Sequence, residues 1–546
     1  MPGKRPWTIA AAVAAVVLPA AGCTGGSSSS DDREVVSNGV VIAIAEPKHL
    51  LPTNASEANG AQVLASLFYP LVTFGAKNEP ITVAAESIKP DKTNKVWTIK
   101  LKPGFTFSNG EPVTADNYID AWNYGAYGPN AQFALYYFSR IDGFADMQQV
   151  DPDGTGPLKG GPPKANRLKG LKKINDVTFT VTLSEGFAGW ESVMGYDAFD
   201  PLPKAAFASP GVIAKGFEDA IVGNGPFKLK GRWEHGSQIQ VEKVATFKGP
   251  APKVDAITWK IYRDSRAEYA DLVASNVDVQ TDIPLENLPS AAGDLDGRFQ
   301  KSPNSSFQFV GFPTYQREFA KPEVRRALSM AIDRRKMTDE IFLGSQIPAT
   351  SFVAPVVAGY RPDTCGENCR YDPVKARQLY IAAGGPARIS IAYNSDGGHK
   401  AWVDAMCNQI TASLGITCTP VAEAKFSDLL TKVQNKDPVG LIRQSWVMDY
   451  PLSEDYLSPL YSTGGSQNYD GYSNPAFDSL VKEGSAERTP AEAIKKWQQA
   501  EDILAQDMPV IPLRFGQNVY GYSERVKNVT VDPFQKVDVY KIEVIR

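Results

Sequence analysis

The segment 96–122 contains the most clearly defined local structure in the sequence, because a strand, two turns and a helix follow one another within it. Val96–Leu101 alternates apolar and polar residues, which is typical of a half-buried strand. Pro103-Gly104 and Ser108-Asn-Gly110 are turn sequences, and Thr114 suits the N-cap of the helix that follows. The fold must therefore accommodate strands and helices that are close neighbours in the chain.

Length and composition indicate a globular protein with more than one lobe. With 546 residues the chain is too long for one small core, and two or three lobes are expected. Apolar residues make up 43% and charged residues 22% of the chain, as in ordinary globular proteins. The net charge of −4 is mixed in sign, so it gives no indication of a nucleic-acid partner.

The N-terminal residues have the pattern of an export signal. Two basic residues precede the apolar segment 7–18, which is too short to span a bilayer. The small residues 19–22 come directly before Cys23 and resemble a bacterial lipobox, which implies lipidation of Cys23, for example by palmitate. We expect a signal peptide at 1–22 and a flexible Gly/Ser-rich tether at 23–34. An ordinary signal peptide with a spare cysteine is the alternative.

Four further cysteines agree with export from the cell. An even number of cysteines outside the cell predicts two disulfides. The local pairing Cys365–Cys369 and Cys407–Cys418 is the simplest of the three possible connectivities. A zinc site is the alternative, but the loop 364–370 contains no histidine. We therefore expect disulfides and no metal.

A strand end near residue 446 combines aromatic and charged residues. The apolar run Val439–Ile442 predicts a buried strand, which leads through Trp446 to Asp449 and Tyr450 at a turn. A carboxylate among aromatic rings is a good receptor for a cation, because a site without water strengthens charge pairing. Arg443 lies on the same strand and suits the anionic end of a zwitterion. The structural alternative is a core tryptophan, a turn aspartate and a surface arginine.

Several segments carry motifs of one protein family. The block 97–116 is the longest match, and Trp446–Pro451 fits a W-x-x-D-Y-P motif. Further matches are Leu171–Leu183, Gly223–Leu229 (G-x-G-P-[YF]), Val324–Arg334 (R-x-A-L-x-x-A-[IL]-D-R), Asn474–Asp478 and Met508–Leu513. On these motifs, from about residue 40 to the C-terminus, the chain resembles the large solute-binding proteins of ABC importers, which include oligopeptide- and dipeptide-binding lipoproteins.

The resemblance implies a fold like that of periplasmic binding proteins. Two α/β lobes are joined by hinge segments and close on a ligand, and an extra domain is inserted in the first lobe. Ser302–Ser305 is the best hinge candidate by composition. The expected boundaries are 33–74, 201–305 and 515–546 for lobe I, 75–200 for the extra domain and 306–514 for lobe II.

The resemblance also implies a set of ligand-binding residues. In family members that bind peptides, the ligand lies extended like an added strand. The expected contacts are the carboxylate of Asp449 for the ligand's α-ammonium group, Trp446 and Tyr450 beside it, backbone groups of Ser56, Glu57 and Ala58, and Arg443, His399 and Lys432 for the C-terminal carboxylate. For His399 a polar loop residue is the alternative. Phe133, Tyr136 and Tyr137 are expected to be core residues rather than ligand contacts.

The expected function is therefore binding without catalysis. We expect a monomeric, lipid-anchored receptor on the extracellular face of the membrane that delivers oligo- or dipeptides to the permease and ATPase subunits of an importer, with no cofactor. Neither a Ser/His/Asp set nor a phosphate loop is evident. The alternatives are another solute (a nickel chelate, haem, an opine or an oligosaccharide), capture of peptides as a signal, and an exported lipoprotein hydrolase that uses paired carboxylates.

Overall fold

The computed structural model describes residues 38–55, 57–149 and 161–545. The predicted signal peptide, Cys23, the tether and Ser56 lie outside the described residues. Within the described ranges, no helix is both long and apolar enough to cross a membrane.

The described strands are distributed along the whole chain. They are β1 (Gly39–Ala45), β2 (Val72–Phe74), β3 (Pro80–Thr82), β4 (Ala85–Pro90), β5 (Val96–Leu101), β6 (Leu171–Asn175), β7 (Thr178–Thr182), β8 (Phe207–Ser209), β9 (Val212–Ile213), β10 (Phe227–Leu229), β11 (Gln238–Lys243), β12 (Ala256–Tyr262), β13 (Val279–Gln280), β14 (Phe299–Gly311), β15 (Gln346–Pro348), β16 (Arg388–Asn394), β17 (Thr417–Glu423), β18 (Leu441–Trp446), β19 (Val510–Tyr522), β20 (Val526–Lys527) and β21 (Glu543–Val544).

The described α-helices alternate with these strands. They are α1 (Ala58–Leu67), α2 (Ala115–Ala126), α3 (Trp190–Val193), α4 (Ser265–Val273), α5 (Leu288–Asp294), α6 (Pro322–Met330), α7 (Arg334–Glu340), α8 (Pro373–Ala383), α9 (Lys400–Leu414), α10 (Phe426–Gln434), α11 (Glu454–Tyr461), α12 (Pro475–Ala486) and α13 (Pro490–Asp507).

The largest sheet in the described part of the chain has eleven strands. Ten of them follow the order β10-β11-β12-β1-β13-β19-β14-β18-β16-β17, and β15 pairs with β19. The sheet is mixed, because β1 is parallel to β12 and β13 whereas β14 is antiparallel to both β18 and β19. The long strands β14 and β19 therefore connect the half of the sheet that contains β1 with the half that contains β16.

The ladder between β14 and β19 is interrupted at one place. Pro303 pairs with Gln517 and the next partners are Phe307 and Phe515, so three residues of β14 face only Gly516. A Cβ atom on Gly516 would lie 2.3 Å from the side-chain oxygen of Asn304, so the position requires glycine. The segment Ser302–Ser305, our hinge candidate, coincides with this interruption, and its role as a hinge remains a prediction.

A separate four-stranded sheet, in the order β4-β5-β7-β6, packs against α2. Strand β5 has the predicted bounds, and the predicted N-cap Thr114 forms a capping box with Asn117. Tyr118 of α2 stacks on Phe179 of β7 with ring centroids 5.7 Å apart. The buried side chains of the small sheet and α2 belong to the same hydrophobic core as those of β1.

The half of the sheet with β16 is covered by helices and carries both disulfides. The apolar side chains of α6, such as Val324 and Leu328, are buried. The structure joins Cys365 to Cys369 and Cys407 to Cys418, which is the local pairing expected from the sequence.

Candidate ligand-binding site

A cavity of about 1060 Å³ is lined by several separate parts of the chain, including Phe74 and the segment 534–536. Part of the wall comes from the N-terminus of α1, part from the segments 133–140 and 193–197, and part from the segment 445–467. Of the predicted site residues, the structure brings Glu57, Ala58, Trp446, Asp449 and Tyr450 together on this wall.

Asp449 lies just beyond the end of β18 and is partly buried. Its Oδ1 atom accepts hydrogen bonds from the hydroxyl groups of Tyr137 (2.6 Å) and Tyr136 (3.0 Å). Burial raises the pKa of Asp449 to about 6, although the two phenol hydrogen bonds act in the opposite direction. The rings of Tyr136, Tyr137 and Tyr196 are stacked beside the carboxylate, with successive centroids 4.3 and 4.0 Å apart.

A second carboxylate, Asp455, holds two of these residues in place. Its Oδ2 atom accepts hydrogen bonds from the indole nitrogen of Trp446 (3.2 Å) and the backbone nitrogen of Asp449 (2.9 Å). Burial and the nearby charge of Asp449 raise the pKa of Asp455 well above its usual value. Sequence reasoning missed this residue, although its place in the first turn of a helix, six residues after Asp449, is a detectable signal.

Tyr450 and Glu454 belong to a buried network with its own cation. The hydroxyl group of Tyr450 donates to Glu454 Oε2 (2.5 Å), and Arg140 Nη2 donates to Glu454 Oε1 (2.7 Å). Arg140 also packs on the ring of Phe187, with its guanidinium carbon 4.0 Å from the ring centroid. Tyr450 lines the cavity, but its hydroxyl group is already hydrogen-bonded to Glu454.

The side chain of Glu57 is held by hydrogen bonds at the N-terminus of α1. Its carboxylate accepts hydrogen bonds from the backbone nitrogens of Lys48 (3.2 Å), Asn59 (2.8 Å) and Gly60 (3.0 Å). The side chain thus caps the helix and holds the loop against the cavity. Any ligand contact by this loop would come from its backbone or from Ala58.

The three predicted basic residues do not line the large cavity. Arg443 lines a smaller adjoining cavity of about 70 Å³, and Trp446 lines both. His399 is buried, and its Nδ1 atom accepts a hydrogen bond from the indole nitrogen of Trp402 (3.2 Å). Lys432 forms a 2.6 Å ion pair with Glu423 and lies apart from both cavities.

Comparison with known proteins identifies the family. A profile of the bacterial extracellular solute-binding proteins, family 5 Middle, matches residues 79–468. The chain belongs to this family. The oligopeptide-binding protein OppA of Bacillus subtilis (strain 168) is 24% identical over 513 residues, which cover 89% of this chain and 88% of OppA. The periplasmic murein peptide-binding protein MppA of Escherichia coli (strain K12) is 25% identical over 475 residues, which cover 86% of each chain.

The fold of this family 5 protein agrees with that of solved structures. HbpA2 from Haemophilus parasuis superimposes with a TM-score of 0.79 at 19% identity, over 93% of this chain and 100% of HbpA2. The predicted two-lobed α/β fold with an inserted domain is therefore confirmed. The relatives named above are binding proteins rather than enzymes.

The expectation that Phe133 and Tyr136 of the family 5 protein are core residues is wrong. Their side chains are 57% and 45% exposed, and both line the large cavity, whereas Tyr137 is buried. The segment Phe133–Phe138 is a 3-10 helix, in which residues three apart lie on the same side. Phe133 and Tyr136 therefore share the side that faces the cavity.

Among the described residues of the family 5 protein, no group of three or more His, Cys, Asp or Glu side chains is arranged to hold a metal ion. Among the carboxylates that line the large cavity, Asp449 is partly buried beside phenol rings and has no ion-pair partner in the described part of the chain. This arrangement is chemically suited to an organic cation.

Proposed function

We propose that this family 5 protein binds peptides by their free amino terminus in the large cavity and delivers them to the permease of an ABC importer. One observation carries the proposal. Within the described ranges, Asp449 has phenol hydrogen bonds but no ion-pair partner, although it faces a cavity.

Glu454, in the same region, is a buried carboxylate that does have a cationic partner. Its carboxylate is only 1% exposed and is paired with Arg140 at 2.7 Å. A partly buried carboxylate without a cation is costly, because burial removes its hydration. An α-ammonium group placed beside Asp449 would supply the missing charge. The stacked tyrosine rings would also exclude water and attract the cation through their faces.

The relatives support a peptide as the ligand that carries this ammonium group. Their names describe an oligopeptide-binding protein and a murein peptide-binding protein, and the chain aligns with most of each. Trp446 would form one wall for the extended ligand, and the backbone around Ala58 would supply main-chain partners.

Anchoring and delivery complete the proposal. The family is described as extracellular, and the sequence places a lipobox-like segment before Cys23. An acyl group on Cys23 would hold the binding lobes at the outer face of the membrane through the tether 23–34. We propose that the loaded protein docks on the permease subunits from that position.

The test compares free and N-acetylated alanyl peptides of two to five residues by isothermal titration calorimetry. Acetylation removes the charge, so affinity should fall by at least about a hundredfold, consistent with several kcal/mol for a buried charge pair. Asp449→Asn should cause a similar loss for free peptides. Asp428→Asn, at an exposed position on α10, is the matched control and should leave affinity unchanged. Equal binding of acetylated and free peptides would disprove the amino-terminal assignment.

A further inference from the structure

Two buried arginines in this protein show how the fold normally satisfies a guanidinium group. Arg325 and Arg334 are each 4% exposed. Arg325 donates to the backbone carbonyls of Phe319 and Met508, among others, and Arg334 donates to those of Pro512 and Ser329. Carbonyl dipoles thus replace the water that these two groups lose on folding.

Arg514 of β19 is equally buried but lacks such partners. It is 3% exposed, and its guanidinium carbon lies 4.2 Å from the ring centroid of Phe342 and 4.7 Å from that of Trp402. Its Nε and Nη1 atoms are buried and have no hydrogen-bond acceptor among the described residues. The two rings hold the planar group in position but satisfy none of its donors.

Arg443 of β18 and Arg514 of β19 lie on the two strands that flank β14, opposite Val310 and Gln308 respectively. The guanidinium group of Arg443 is also poorly satisfied. Its contacts with the side-chain oxygens of Asn394 (3.5 Å) and Ser445 (3.3 Å) are long, and its Nε atom has no acceptor in the described part of the chain. Burial and the charge of Arg443 lower the pKa of Arg514 to about 9, and burial lowers that of Arg443 to about 10. The guanidinium groups of Arg443 and Arg514 therefore repel each other in a region where burial removes most of their hydration.

The remaining titratable neighbours do not balance these charges. Burial, Arg443 and Arg514 lower the pKa of His399 to about 4, so the ring is neutral. Because its Nδ1 atom accepts from Trp402, the proton resides on Nε2 and provides one more donor. Asp396 is the acidic group whose charge acts on the pKa values of His399 and Arg443. It is exposed and accepts hydrogen bonds from the Asn394 side chain (2.6 Å) and the Phe426 backbone (3.3 Å).

We propose that Arg514 makes this protein select ligands that carry two carboxylates at the end bound near Arg443, such as peptides ending in Glu. The inference rests on the proposed function. Arg443 lines the smaller cavity and would contact the anion, whereas Arg514 does not line it and would act through its charge. A ligand with a single carboxylate balances one guanidinium group and leaves the other uncompensated. A second carboxylate balances both.

The experiment measures dissociation constants for alanyl peptides of two to five residues that end in Glu or in the isosteric Gln. We expect the unmodified protein to bind the best Glu peptide at least about tenfold more tightly than its Gln counterpart. Arg514→Met should reduce this preference to about twofold or less while the Gln peptide retains its affinity. Arg514→Gln serves as a second variant of similar size in case the Met variant does not fold. Arg377→Gln is the control. It removes an exposed charge on α8 and should keep the full preference for the Glu peptide.

Three outcomes would overturn the proposal, and they differ in what else they affect. Equal affinity of the unmodified protein for the Glu and Gln peptides would overturn this inference and leave the proposed function intact. If the preference for the Glu peptide persists in both folded Arg514 variants, another group must recognise the second carboxylate. Failure of the unmodified protein to bind any free peptide would overturn the proposed function and this inference with it.

Discussion

The hydroxyl group of Tyr137 donates a 2.6 Å hydrogen bond to Oδ1 of Asp449, although 312 positions separate the two residues in the chain. Tyr137 lies in the segment assigned to the inserted domain and Asp449 in the segment assigned to lobe II. On the predicted domain boundaries, this hydrogen bond joins the inserted domain to lobe II.

Peptide affinity should fall as the pH is lowered through about 6. The pKa of Asp449 is raised from 3.8 to about 6 in the unliganded protein, so below that pH the carboxyl group is neutral and cannot pair with an ammonium group. Well below pH 6 the affinity should change roughly tenfold per pH unit. Near pH 6, binding should release protons, which calorimetry in two buffers of different ionisation enthalpy detects. A pH-independent affinity between pH 5 and 8 would contradict this assignment.

Tyr137→Phe should weaken peptide binding and shift its pH dependence. The substitution keeps the stacked ring but removes a hydrogen bond that lowers the pKa of Asp449, so the midpoint of the affinity profile should move to higher pH. At pH 7 the loss should be about 1.5–3 kcal/mol, the usual range for a hydrogen bond to a charged group. Tyr118→Phe is the matched control, because the Tyr118 hydroxyl group is buried and has no hydrogen-bond partner among the residues that the structure describes. Identical binding profiles for the two variants would count against a role for Tyr137.

Arg140→Met should destabilise the protein by about 2 kcal/mol, measured by urea unfolding. The substitution leaves Glu454, which is 1% exposed, without its cation. We expect less than the loss for a fully buried pair because the Arg140 side chain is 34% exposed. Glu454→Gln added to Arg140→Met should restore part of the stability, since it removes the uncompensated charge. A double variant less stable than Arg140→Met alone would contradict this explanation.

Cys23→Ser should release the protein from the membrane. Without an acyl chain the protein loses the proposed anchor, so immunoblots should detect the variant in the soluble exported fraction. Ser29→Ala, in the same tether, should remain with the membrane. Retention of the Cys23→Ser protein in the membrane fraction would disprove anchoring by this residue.

Local patterns predicted individual elements well. The alternation of apolar and polar residues predicted the bounds of β5, and Thr114 was correctly predicted as the N-cap of α2. The strand predicted at Val439–Ile442 is shifted, because β18 begins at Leu441 and continues through Trp446. The less apolar residues of β18 are held in the strand by pairing with β14, a tertiary contact that periodicity does not reveal.

The partners of the site residues could not be predicted in the same way. The sequence contains 22 tyrosines, and their spacing does not show that Tyr136 and Tyr137 reach Asp449. The neutral state of His399 likewise depends in part on Arg514, which is more than a hundred positions away. Such long-range relationships follow from the topology of the sheet rather than from any local pattern.

The three residues Asn304–Ser306 opposite Gly516 give β14 two more residues than β19 at this point. This stretch leaves the ladder for other partners, because the Ser305 nitrogen donates to the Pro533 carbonyl (3.3 Å) and the Ser305 carbonyl accepts from the Tyr456 hydroxyl group. The β14–β19 ladder is therefore not continuous across it. One half of the large sheet could then tilt while the other keeps its registration. Hydrogen–deuterium exchange of backbone amides confined to this stretch would indicate such a motion.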